Sequence, residues 1–248
     1  MMENAVLTLR SRLVTESSKP YQSRGATMVR CPRCQIAQSH CVCDCRLPQQ
    51  VTPAFCLIMH RKEPMKPTNT GRLIAEILPD TAAFAWDRTE PDPRLLAYLA
   101  DPGWQPYLVF PDAYVEDQQV VEAPQPCPPG KRPLFVLLDA TWAQARKIYF
   151  KSPYLRQMPV LSINPARLSN YKLREAVHDH QLATAEVAAM VLELAGEPHA
   201  AEVMDAFFQV FSRRYYAGKH QLPVPTEGEA FDRLAACQQK EQRDATPL

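Results

Sequence analysis

The stretch PLFVLLDATWAQARKIYF, residues 133–150, decides how the fold is read. Leu134 to Leu138 form an unbroken apolar run, the pattern of a strand buried on both faces of a sheet. A carboxylate, Asp139, stands where that strand should end, and Thr141, Trp142 and a helical pattern follow at once. Outward from this corner, AFCLIMH (54–60), AAFAW (82–86), PYLVF (106–110) and MPVLSI (158–163) carry the same short apolar signature. Helix-length segments lie between them. GRLIAEIL follows Asn69 and Thr70, either of which can cap it, and PRLLAYLA (93–100) opens with proline in its first turn. ATAEVAAMVLELAG (183–196) and the stretch from Pro198 to about Tyr216 read as two further helices. This alternation predicts an α/β fold, a mostly parallel sheet flanked by helices. Ligands of such sheets gather beyond the carboxyl ends of the strands, which puts His60, the pair Pro111 and Asp112, and Asp139 on the functional rim.

At 248 residues, with 46% hydrophobic and 22% charged side chains, the chain can bury a substantial core. Its 7 glycines and 24 prolines are about half and twice the usual shares. No apolar run approaches the ~20 residues that span a bilayer, and residues 1–20 lack a signal-peptide block. The expectation is a cytoplasmic protein with no membrane partner. Net charge is only +1, yet residues 1–50 hold 7 basic and 3 acidic side chains and residues 141–180 hold 7 and 2. Two basic segments suit either a phosphate-binding face or ordinary solvated loops and helix backs. Residues 1–28 show no sustained periodicity and are expected to be a mobile or loosely docked arm. Residues 29–50 are a cysteine-rich segment, residues 51–218 the main domain, and residues 219–248 an irregular tail.

Within the cysteine-rich segment, Cys31, Cys34, Cys41 and Cys43 are spaced C-x2-C-x6-C-x-C, with Cys45 two residues on. In a reducing compartment such spacing favours a metal over disulfides. Four thiolates would close a tetrahedral shell around Zn²⁺, a structural rather than catalytic site. Cys45 or His40 can stand in for one ligand, and an iron–sulfur cluster or unligated thiols are the competing readings. Cys56, Cys127 and Cys237 read as packing or surface residues.

The corner itself has two readings from the residues alone. In one, Asp139 caps the following helix, Thr141 assists it and Trp142 packs into the core. In the other, the three side chains line a site. The run LLDATWAQARK resembles the Asp-x-Thr-Trp motif for which the DTW-domain proteins are named. The order of further elements is similar too: the C-x2-C…C-x-C cluster, a strand ending HRKE, then TNTGRL, FPDA, SNYKLRE and ATAEVAA. The resemblance covers residues 30–216, with Ala140 where many relatives have glycine and TAEVAA in place of a TxEA run.

Proteins of this layout are tRNA-uridine aminocarboxypropyltransferases. The resemblance implies transfer of the 3-amino-3-carboxypropyl (acp) group of S-adenosylmethionine to N3 of a uridine in tRNA, in bacteria at position 47 of the variable loop. The products would be acp-modified uridine and methylthioadenosine. It also implies a SPOUT-like cofactor site with knotted C-terminal loops, consistent with the lack of any G-x-G fingerprint. Asp139, Thr141 and Trp142 would then be catalytic, with Asp139 either the base for N3 or a ligand of the methionine ammonium. S-adenosylmethionine would meet Phe110, Pro111, Asp139, Tyr171, Arg174, Thr184 and Glu186. RNA would meet Arg146 and Lys147, with His60 and Glu63 of the HxxE element in support. Competing readings are acp transfer to ribosomal RNA, a SPOUT-type methyltransferase, and a zinc-stapled RNA-binding protein without activity.

Overall fold

The computed structural model describes residues 4–18, 28–163 and 182–244. Six strands form one sheet: β1 (Ala54–His60), β2 (Thr81–Trp86), β3 (Trp104–Val109), β4 (Val120–Val121), β5 (Arg132–Asp139) and β6 (Val160–Leu161). Their order is β2-β1-β5-β3-β6-β4, and every pairing is parallel. The LFVLLD strand therefore lies inside the sheet, between β1 and β3, which is why its residues are apolar on both faces.

Alternate strand residues divide between two cores. Phe55, Leu57, Met59, Tyr107, Phe135 and Leu137 face one side. There they meet α1 (Ala5–Glu16), α2 (Gly71–Ile77), α5 (Thr184–Leu194) and α6 (Pro198–Lys219), with α7 (Glu229–Asp244) packed outside α6. Ala54, Cys56, Ile58, Leu108, Leu134 and Val136 face the other side, against α3 (Pro93–Leu99) and α4 (Trp142–Lys151). This period of two fixes which way the residue at each strand end points.

Three elements depart from the sequence reading. The expected arm contains α1, capped by Asn4, whose Oδ1 accepts from Val6 and Leu7. Val6, Leu9 and Leu13 are buried, so this helix is part of the core rather than loosely attached. The expected irregular tail contains α7, which buries Ala230, Leu234 and Cys237 and is tied to α6 by Arg233 on Glu202 and Asp205. Finally, Val120–Val121 adds an edge strand that two residues could not announce. No helix of the described residues is long and apolar enough to cross a membrane.

Candidate active site

The parity of β5 sends Asp139 toward α2 and α5, and its register partner is Met59. The carboxylate is 3% exposed. Asn69 Nδ2 donates to Oδ2 at 2.6 Å, and the Thr184 hydroxyl donates to Oδ1 at 2.7 Å. Asn69 is itself fixed because its Oδ1 accepts from the Arg72 amide at 2.9 Å, capping the first turn of α2. Burial pushes the Asp139 carboxyl above the ordinary carboxylate range; the bonds from Thr184 and Asn69 oppose that rise. Glu63, buried and ion-paired with Lys66, sits close enough to raise it further, while Lys66 pulls it down. The cap of α4 is not Asp139 but Thr141, whose amide and hydroxyl both donate to Gln144 Oε1. The residues of the corner have thus been assigned separate tasks.

Trp142 belongs to the opposite face. Its ring stacks on Phe110 at 5.7 Å and meets Tyr114 edge-on at 5.2 Å, while Phe110 stacks on Tyr149 at 4.6 Å. Arg146 lies 4.8 Å over the Tyr114 ring, a cation–π contact. The structure therefore brings Asp139 together with Asn69, Gly71 and Thr184, and Trp142 together with Phe110, Tyr114 and Arg146, as two clusters on opposite faces of the sheet. His60 ends β1 half-buried; desolvation and the nearby Lys62, Lys66 and Lys147 hold its pKa below the usual histidine value. Lys147 and Pro111 are exposed on the same rim. Glu186 accepts from the Ala183 amide at 2.7 Å, capping its own helix. Tyr171 and Arg174 lie outside the described residues.

Asn69, Gly71, Arg72 and Tyr114 are missing from the sequence-based site. The signal for the first three was the TNTGRL segment, in which Gly71 is one of only 7 glycines, and for Tyr114 the FPDA segment that it follows. Arg72 is fully buried, and burial pushes its pKa down to about 10. Its Nη2 donates to the carbonyls of Cys34 at 2.8 Å and Pro67 at 3.0 Å, and its Nε has no partner among the described residues. One side chain thus ties the loop that carries Asn69 to the cysteine segment.

That segment folds as a knuckle. The Sγ atoms of Cys31, Cys34, Cys41 and Cys43 lie within 4.8 Å of one another, with Cys31–Cys43 and Cys34–Cys41 each 3.7 Å apart. Tetrahedral Zn–S bonds of about 2.3 Å require edges of about 3.8 Å, so the four thiols fit the ion. Cys45 turns instead to Asp44, and His40 is spent on Ser39 and the Leu222 carbonyl. The knuckle is clamped by α2, where Glu76 pairs with Arg33 and Arg46, and by α6, where Arg214 reaches the Cys41 carbonyl and Asp44.

A parallel α/β sheet with a buried carboxylate ending an interior strand, and a four-thiol knuckle clamped beside it, defines the class of protein. The chain belongs to the DTW domain family, whose domain matches residues 28–216. It is 26% identical over 170 residues to "tRNA-uridine aminocarboxypropyltransferase 2" of Mus musculus, covering 66% of this chain and 55% of that protein. The protein of the same name from Macaca fascicularis matches with the same identity and coverage. The chain thus spans about half the length of the curated relatives it matches. No solved structure matches it.

Proposed function

We propose that this protein transfers the 3-amino-3-carboxypropyl group of S-adenosylmethionine to N3 of a tRNA uridine in the variable loop. The observation that carries the reading is the Asp139 carboxylate, buried at an interior strand end, held at both oxygens and raised in pKa. The family membership and the names of the relatives support the reaction class.

In the step itself, uridine N3 attacks the methylene carbon bonded to sulfur. The N–C bond forms as the C–S bond breaks, and the sulfonium leaves as neutral methylthioadenosine with the bonding pair. The N3 proton must go to a base, and Asp139 takes it. An ordinary carboxylate is a poor acceptor for this task, and burial brings it closer to a useful value. Asn69 and Thr184 hold the carboxylate so that rate comes from alignment rather than from a covalent intermediate. The aromatic shelf of Phe110, Tyr114 and Trp142 offers a face for the uracil or the sulfonium, and Lys62, Lys66 and Lys147 supply cations for a carboxylate or phosphate. The four cysteines would hold Zn²⁺, whose part is to fix the knuckle against α2 and α6.

The experiment incubates the protein with S-adenosylmethionine and an unmodified tRNA transcript, then analyses nucleosides and by-products by mass spectrometry. Acp-modified uridine with methylthioadenosine, absent for Asp139→Asn, is the expected result. Adenosylhomocysteine would make the protein a methyltransferase and overturn the reading.

One observation favours a second role for Asp139. Both oxygens already accept hydrogen bonds and Glu63 stands beside it, an anionic pair suited to an ammonium. Calorimetric titration with S-adenosylmethionine separates the roles. Asp139→Asn binds normally if Asp139 is the base and loses binding if it holds the ammonium.

A further inference from the structure

The far end of α6 carries a surface that the active site does not use. From residue 206 to residue 226 the sequence holds no Asp or Glu, while Arg213, Arg214, Lys219 and His220 fall within eight positions. Arg214 is turned inward onto the knuckle. Arg213 and Lys219 are exposed and pair with no carboxylate among the described residues. Tyr216, one turn from each, is 59% exposed, with the His220 ring 4.4 Å away. Beside them lies an open groove of about 440 Å³ lined by Arg213, Tyr216, Ala217, Leu222, Pro223 and Pro225. Leu222 and Val224 add exposed apolar surface.

The fold places this groove at the same end of the molecule as Asp139. Helix α6 starts near the amino edge of the sheet, where Glu197 accepts from the Thr52 amide just before β1. Its 22 residues run about 33 Å. They end against the knuckle, where a β-carbon on Gly218 would lie 3.2 Å from Ala37 and from His40. The knuckle is in turn bound through Arg72 to the first turn of α2, beside Asp139. A chain of contacts therefore runs from the carboxylate rim, through Arg72 and the knuckle, to the last turns of α6.

We propose that this groove is a second RNA contact. An unpaired nucleotide stacks on Tyr216 while Arg213 and Lys219 meet its flanking phosphates, so that the substrate RNA is held at two places on one end of the protein. An exposed tyrosine flanked by cations, with apolar walls, is the chemistry that takes a single-stranded base and its backbone. This rests on the reading of RNA as substrate.

The test measures binding of a fluorescent unmodified tRNA transcript over a range of salt concentrations. Tyr216→Ala is expected to weaken binding about tenfold with little change in salt slope. The double variant Arg213→Ala with Lys219→Ala should lower the slope by about 0.7–0.9 per cation removed. Tyr216→Phe, which keeps the ring, should bind as the unaltered protein does, and zinc content and circular dichroism report that the fold is kept. Unchanged affinity and slope in both variants would overturn the proposal. So would a change from dimer to monomer in light scattering with tRNA affinity intact, since the face would then serve self-association. The two readings fail separately: methyl transfer or no product alongside weakened tRNA binding removes the proposed reaction but leaves this contact, whereas acp transfer alongside unaltered binding removes the contact alone.

Discussion

Gly71 lies so close beneath Asp139 that a β-carbon on it would stand 2.4 Å from Oδ2 and 3.0 Å from Cγ, with Leu57 at 3.4 Å on the other side. Alanine cannot occupy that position unless the carboxylate leaves Asn69 and Thr184 or α2 shifts. Gly71→Ala is expected to cost about 1–3 kcal/mol in thermal or denaturant unfolding. It should also slow single-turnover transfer about 100-fold, the penalty of misplacing a reacting group by about 1 Å. Wild-type stability and rate in the variant would show that the carboxylate is not held as described.

Asp139→Asn should separate stability from activity. The folded carboxyl has a pKa above its unfolded value. Its favourable contribution is therefore complete below the unfolded value, about 3.9, and is lost as pH rises through the folded value. At neutral pH the ionised carboxylate costs stability, so the asparagine variant is expected to melt at a higher temperature while losing transfer. The gain should shrink as the pH falls through the folded value toward about 3.9, and change no further below it. A gain independent of pH, or a loss at neutral pH, would count against a raised carboxyl.

Arg72 joins two parts of the site that are otherwise separate in sequence. Arg72→Met leaves the carbonyls of Cys34 and Pro67 without this donor and is expected to cost about 3 kcal/mol or more. Its zinc should also be stripped by a chelator faster than from the unaltered protein, measured with a colorimetric zinc indicator. Arg72→Lys keeps the charge but not the longer, planar guanidinium whose Nη2 reaches both carbonyls, and should recover only part of both losses. Unchanged chelation kinetics in the methionine variant would mean that the guanidinium does not brace the knuckle.

The cysteine geometry makes a selective prediction. Cys31→Ser, Cys34→Ser, Cys41→Ser and Cys43→Ser should each lose bound zinc in elemental analysis, whereas Cys45→Ser should keep it. Zinc retained by the first four or lost from the last would require a different ligand set.

What the sequence disclosed follows from the strength of the local patterns. An unbroken run such as Leu134 to Leu138 admits few places except the inside of a parallel sheet, and the chain puts it between β1 and β3. The spacing of four cysteines marked the thiols that the fold gathers within 4.8 Å of one another, and only the geometry turned Cys45 and His40 elsewhere. Helix α1 was overlooked because its buried positions, Val6, Leu9 and Leu13, are only three and alternate with arginines. Helix α7 buries Ala230, Leu234 and Cys237, residues too weakly apolar to mark a stripe among its charges. The clearest gap is Asn69. As a residue before a helix it reads as a cap, which it is, and nothing in its neighbours reveals that its other end holds a carboxylate 70 positions away. Likewise, Asp139 and Trp142 are three residues apart, yet the strand's parity and the helix start send them to opposite faces of the sheet.

The Asp139 carboxylate is completed by Thr184, which lies 45 residues further along the chain. At about 5–20 residues per second, the ribosome needs about 2–9 s to make that interval. During it, β1, β2, β3 and β5 are already synthesised, but the acid has only Asn69 as a partner. A chain released early, after the last strand but before α5, would own the sheet and the knuckle's cysteines yet leave its carboxylate open to water. Completion of the carboxylate site is thus timed by the synthesis of α5 rather than by formation of the sheet.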